Sequence, residues 1–100
     1  MEHLGLRDAF TMRYTTDTQT SLPLHTDASL VTGSVKLNSD YEGAELIFPR
    51  QNFSNINVKN GQCILFPAQV THGHYVNELV SGKKYSLTMW TSRYKGDINE

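Results

Sequence analysis

Two short stretches carry residues with an obvious chemical use: His25-Thr26-Asp27 and Thr71-His72-Gly73-His74. In an extended segment residues i and i+2 point to the same face, so the His25 imidazole and the Asp27 carboxylate can converge on one point. His72 and His74 repeat that spacing. In a fold that joins distant strands, a late histidine completes a site begun by an early His-x-Asp pair. Two imidazoles and one carboxylate on one face of a metal leave about three octahedral positions open, the facial arrangement suited to non-haem iron(II). Lys84 is the third feature. It precedes the apolar run Tyr85 to Trp90, and by period two it shares a face with Ser86, Thr88 and Trp90. A lysine pointing into a barrel is costly unless an anion meets it. The far carboxylate of a dicarboxylic co-substrate is such an anion.

Each piece has a plainer reading. A lone His-x-Asp recurs by chance, His72 and His74 could be ordinary hydrogen-bonded strand histidines, and Lys84 could simply begin a strand in solvent. The residues alone do not choose between His72 and His74 as the third ligand. Only the ordered combination, His-x-Asp, then histidine, then cation, points to one site.

The elements that would position these groups read as strands. β-Branched and aromatic runs with alternating pattern cover Phe10–Thr16, Ser29–Leu37, Ala44–Phe48, Asn55–Lys59, Gln62–Phe66, Thr71–Val76 and Lys84–Thr91. Turn residues separate them: Asn38 to Gly43, Pro49, Asn60-Gly61 and Ser81-Gly82. Asn60-Gly61 predicts a hairpin between Asn55–Lys59 and Gln62–Phe66. Gly33 marks a bulge or a close approach to the backbone. Only Met1 to Ala9 has a weak helical character. The pattern predicts an all-β domain, a double-stranded β-helix (jelly roll) of seven or eight strands, with at most one short N-terminal helix.

Composition narrows the class. One hundred residues with 38% hydrophobic and 19% charged side chains suit one ordered domain, residues 1–100 with a core at about 10–93. A formal net charge of −1 gives no reason to expect nucleic acid or an anionic membrane. The single cysteine, Cys63, allows no intramolecular disulfide. With no secretory h-region and no membrane-length apolar run, a cytoplasmic or otherwise intracellular location is expected.

These residues resemble the catalytic domain of the procollagen lysyl hydroxylases. Arg13-Tyr14 precedes His25-Thr26-Asp27-Ala28-Ser29 by an interval similar to the family's. Leu37-Asn38, Asp40 to Leu46 and Phe48 look like its LN…DYEGG…F segment; Phe66-Pro67, Thr71 to His74 and Gly82 to Tyr85 look like its HPG…THxH…GxRY. The likeness spans roughly residues 10–93. Prolyl hydroxylases and related viral and bacterial enzymes share much of it.

The resemblance implies an iron(II)- and 2-oxoglutarate-dependent dioxygenase. His25 and Asp27 would be metal ligands. In this superfamily the distal histidine commonly lies ten positions before the basic residue that holds 2-oxoglutarate, which selects His74 (84 − 74) over His72. Lys84 stands where lysyl hydroxylases carry arginine, as lysine does in collagen-type prolyl hydroxylases, and would hold the C5 carboxylate. Tyr14 would reach the same carboxylate, and Thr88 could add a hydroxyl. The resemblance also implies O2 as co-substrate, ascorbate as an accessory reductant, and a peptidyl lysine or proline as substrate. Family members carry buttressing N-terminal helices for which this chain has little room, so a homodimer covering the bare sheet face is an expectation. A truncated, non-catalytic relative and a cupin-like metal-binding protein are the rivals. The cupin histidine–glutamate pattern is absent.

Overall fold

The computed structural model describes residues 2–95, and side chains for residues 5–92. Ten strands and one 3-10 turn run in the order β1 (Glu2–Tyr14), β2 (Leu22–His25), β3 (Val31–Lys36), β4 (Tyr41–Gly43), β5 (Leu46–Phe48), β6 (Phe53–Ser54), β7 (Cys63–Pro67), the turn Val70–His72, β8 (His74–Val76), β9 (Leu79–Gly82) and β10 (Lys84–Lys95). One four-stranded sheet has the order β1-β10-β3-β7, a second β2-β8-β5-β6, and β4 pairs with β9 alone. Every pairing is antiparallel. This is the expected all-β jelly roll, and no helix among the described residues is long and apolar enough to cross a membrane.

The core lies between the two larger sheets. Tyr14, Leu46, Phe48, Phe66, Val76 and Leu79 are buried there. Phe48 of one sheet meets Phe66 of the other edge to face, with centroids 4.7 Å apart. Alternation aims every second residue of β10 inward, so Lys84 and Ser86 are buried while Tyr85 between them is exposed.

Four local expectations are corrected. The helical reading of Met1 to Ala9 fails from Glu2 onward, because β1 pairs with β10 residue by residue from Glu2↔Lys95 to Tyr14↔Lys84, with one register shift between Leu6 and Asp8. Met1 lies outside the described residues. A nine-residue helix is marginal alone, whereas β10 offers a whole row of backbone partners. The hairpin between Asn55–Lys59 and Gln62–Phe66 does not form. Buried Asn55 instead closes the end of β5: its Oδ1 accepts the Leu46 N–H at 2.9 Å and its own N–H donates to the Leu46 carbonyl at 3.0 Å. The tight turn at Asn60-Gly61 is present, with Gly61 at φ +83°. It delivers β7 to β3 rather than to residues 55–59. Strand Thr71–Val76 shortens to His74–Val76, preceded by the 3-10 turn. Residues 79–82 form β9 rather than a plain turn.

Gly33 is a site of close approach and not a bulge, since the register runs through it on both sides. A Cβ there would sit 3.0 Å from Met89 Cε and 3.2 Å from Leu65 Cδ2. Gly82 is more constrained. Its φ is +85°, and a Cβ would lie 2.6 Å from the Asp40 carbonyl and 2.8 Å from Tyr41 Cα. Both obstacles are backbone, so β4 and β9 would have to part. Gly82→Ala is expected to lower stability by about 2–3 kcal/mol, read as a fall in the urea midpoint at unchanged m-value.

Candidate metal centre

β2 ends on His25 and β8 begins on His74, and the two are direct partners in the antiparallel pair. Asp27 lies two residues beyond β2, in the loop that leads to β3. Its Oδ1 is 3.3 Å from His25 Nε2 and 3.2 Å from His74 Nε2. One ligand atom from each residue lies within 4.8 Å of the others.

The outward ring nitrogens are fixed by the chain itself. His25 Nδ1 lies 2.8 Å from the Pro23 carbonyl and His74 Nδ1 3.0 Å from the His72 carbonyl. In both cases the acceptor is the carbonyl two residues earlier. A carbonyl only accepts, so each Nδ1 carries a proton and donates it, and in the neutral ring the Nε2 lone pair faces the cluster. That is the tautomer a metal ligand needs, oriented by an outer partner. The His74 ring is further clamped between Phe48 and Phe66, at centroid distances of 5.1 and 5.0 Å.

Charge in the cluster is balanced internally. Burial alone would raise the Asp27 pKa, but the His74 hydrogen bond and charge, with the nearby Thr32 hydroxyl and His25, hold it below the usual carboxylate value. Burial alone would discharge His74. The hydrogen bond to Asp27, then the His72 carbonyl and the Asp27 charge, leave its pKa raised. A cation in place of that proton would satisfy the same carboxylate.

The cluster opens on a cavity of about 230 Å³ between the sheets, lined also by Tyr14, Lys84 and Thr88. At roughly 30 Å³ per water, that is room for seven or eight waters or one small dicarboxylate. Lys84 is 3% exposed; its Nζ donates to the Ala44 carbonyl at 2.7 Å and sits 5.1 Å from the centroid of the Tyr14 ring, its cross-strand partner. Burial pulls the Lys84 pKa from 10.5 down to about 8, the charge of Lys36 adding to the shift and that of Glu45 opposing it. Ala44, whose carbonyl Lys84 holds, is an alanine in the left-handed region at φ 54°, a conformation that costs a non-glycine residue about 1–2 kcal/mol. Burial raises the Tyr14 hydroxyl to about 12, so it stays a protonated donor.

His25, Asp27 and His74 thus come together, and Lys84, Tyr14 and Thr88 line the same cavity. His72 does not share the face of His74 as expected. It belongs to the 3-10 turn, and its Nδ1 pairs with Thr71 Oγ1 at 3.0 Å. Trp90, on the face of β10 that carries Lys84 and Thr88, lines the cavity as well. Sequence reasoning missed Phe10 and Met12, although period two from Tyr14 would have found them. It also missed Thr32 and Ser34, the cross-strand partners of Trp90 and Thr88. Nothing short of the register identifies those two.

The family model of the 2OG-Fe(II) oxygenase superfamily matches residues 9–92. Among individual proteins, the chain is 39% identical over 80 residues to procollagen-lysine,2-oxoglutarate 5-dioxygenase 1 of Mus musculus, covering 77% of this chain and 11% of that protein. It is 34% identical over 81 residues to procollagen-lysine,2-oxoglutarate 5-dioxygenase of Drosophila melanogaster, covering 78% and 11%. The chain therefore spans about a ninth of the length of these relatives. Its fold is that of the viral collagen prolyl hydroxylase of Paramecium bursaria Chlorella virus-1 solved with 2-oxoglutarate, at TM-score 0.73 and 21% identity, covering 89% of this chain and 60% of that one.

Proposed function

Because this chain belongs to the 2OG-Fe(II) oxygenase superfamily, we propose that it is the catalytic core of a hydroxylase in which His25, Asp27 and His74 hold iron(II) and Lys84 anchors 2-oxoglutarate. The observation that carries this is the pair of imidazoles locked at Nδ1 by their own chain, with both Nε2 atoms turned to Asp27 Oδ1 at 3.3 and 3.2 Å. Two nitrogens and one carboxylate oxygen are the donor set of an open iron(II) site. The Lys84 ammonium supports the same reading, since its position in the cavity suits an anionic co-substrate better than any neutral one.

When bound, the metal supplies the redox chemistry that couples decarboxylation of 2-oxoglutarate by O2, giving succinate and CO2, to insertion of one oxygen atom into a substrate C–H bond. The chain's residues bind, orient and keep water out. Lys84 would take the C5 carboxylate, moving from the Ala44 carbonyl to a charged partner. Tyr14, protonated throughout the physiological range, would donate to the same group. Phe48 and Phe66 hold the His74 ring and shield that side of the site. Peptidyl lysine or proline is the proposed acceptor, in keeping with the relatives' names.

Anaerobic titration with iron(II) and then 2-oxoglutarate tests this. A visible metal-to-ligand charge-transfer band that needs both components is expected. Iron binding without the band would favour the second reading, a metal-binding piece short of activity, which the small share of its relatives' length keeps open.

A further inference from the structure

The main chain at Lys84 is held by a side chain from outside the cavity. β9 ends on Gly82, whose φ of +85° turns the chain, and β10 begins two residues later at Lys84. A strand frays at such an end unless its backbone is bonded on both flanks. On one flank Lys84 pairs with Tyr14 of β1. On the other, the ladder to β3 ends at Ser86↔Lys36, and one bond beyond it the Leu37 N–H donates to the Tyr85 carbonyl at 3.2 Å.

Asn38 continues that flank with its side chain. Its Nδ2 donates to the Lys83 carbonyl at 2.7 Å and its Oδ1 accepts the Tyr85 N–H at 2.8 Å. One amide thus brackets Lys84 as a further ladder residue would. The second Nδ2 hydrogen goes to Asp40 Oδ1 at 2.6 Å. A carbonyl and a carboxylate only accept and a backbone N–H only donates, so these three partners allow a single orientation of the amide. Asn38 lies in the connection between β3 and β4 and does not line the cavity. From the bracketed main chain the Lys84 stem runs inward to its Nζ, beside the Ala44 carbonyl and the Tyr14 ring. A lysine stem is flexible, so the place of its ammonium depends on how firmly its root is fixed.

Resting on the reading of Lys84 as the co-substrate anchor, we propose that Asn38 is a positioning residue: by bonding the chain on both sides of Lys84 it sets where the ammonium stands, and it acts on 2-oxoglutarate only through that lysine.

Calorimetry of 2-oxoglutarate binding to the zinc-loaded protein tests this through a double-mutant cycle. Asn38→Ala should bind 2-oxoglutarate about tenfold more weakly while keeping its metal affinity. In the Lys84→Met background the same substitution should cost nothing further. The pH profile should move as well. Affinity in the parent protein declines through about 8, and in Asn38→Ala it should decline at higher pH, as a loosened Lys84 regains water beside the same Lys36, Glu45 and Tyr14. Asn38→Asp, equal in size, keeps the acceptor for Tyr85 and loses both donors; it should lose at least as much, and it replaces the alanine variant if that does not fold. Parent-like affinity in Asn38→Ala, or an equal loss with and without Lys84, overturns the positioning role. A loss in Lys84→Met that stands in either case leaves the anchor reading intact. No loss in Lys84→Met overturns both.

Discussion

His74→Ala should reduce iron(II) affinity at least about a hundredfold, while His72→Ala leaves it near that of the parent protein. Loss of an outer-shell partner alone costs metal sites about 10–100-fold, and removal of a ligand cannot cost less. The contrast is sharp because the two histidines are two residues apart and similar in composition, yet the fold treats them differently. His74 opens β8 as the partner of His25, with Nε2 3.2 Å from Asp27. His72 lies in the 3-10 turn and contributes its main-chain carbonyl, which an alanine would still offer to His74 Nδ1. Anaerobic competition against a chromogenic chelator measures both variants. Equal losses would remove the proposed ligand set.

Lys84→Met should lower 2-oxoglutarate affinity about a hundredfold with iron(II) affinity nearly unchanged, and should make the co-substrate-free protein more stable below pH 8. The first effect is the loss of a charge-assisted contact worth roughly 1.5–3 kcal/mol. The second follows from the buried charge. In the folded chain Lys84 releases its proton near 8, whereas the unfolded chain keeps it to the ordinary 10.5. Between those values the unfolded state binds more protons, so stability rises with pH across this window. Below it the folded protein carries a buried ammonium satisfied by one carbonyl, and methionine removes that burden. Urea denaturation at pH 7 and pH 10 reads the effect as a stability difference that shrinks with rising pH. In the parent protein 2-oxoglutarate affinity should weaken as pH rises through about 8, because the anion prefers the protonated lysine. Flat pH behaviour would mean that Lys84 is not the anchor.

The site was more legible in the sequence than the frame around it. His25-Thr26-Asp27 shows its geometry through spacing, and the inward face of β10, Lys84 through Trp90, follows from period two alone. Those are short-range consequences of backbone geometry. What the sequence concealed depends on pairing between distant segments. Glu2 to Ala9 has weak local preference and becomes strand only because β10 lies beside it. Asn55–Lys59 alternates like a strand, but the Asn55 side chain caps β5 and leaves β7 to β3. His72 and His74 share a spacing that a single 3-10 turn is enough to undo. Thr32 sits in a run of β-branched residues where nothing distinguishes it until its strand is set against Trp90.

β10 is an inner strand of its sheet, bonded to β1 on one side and β3 on the other, and both Lys84 and Trp90 of the cavity wall hang from it. Its two registers fix where Lys84 stands relative to Thr32, and the histidine pair is fixed in turn by β2 and β8. The cavity therefore works as a ruler that cannot be reset locally. A one-residue deletion between Lys84 and Trp90 would turn one of them outward, so this stretch can change in composition but not in length.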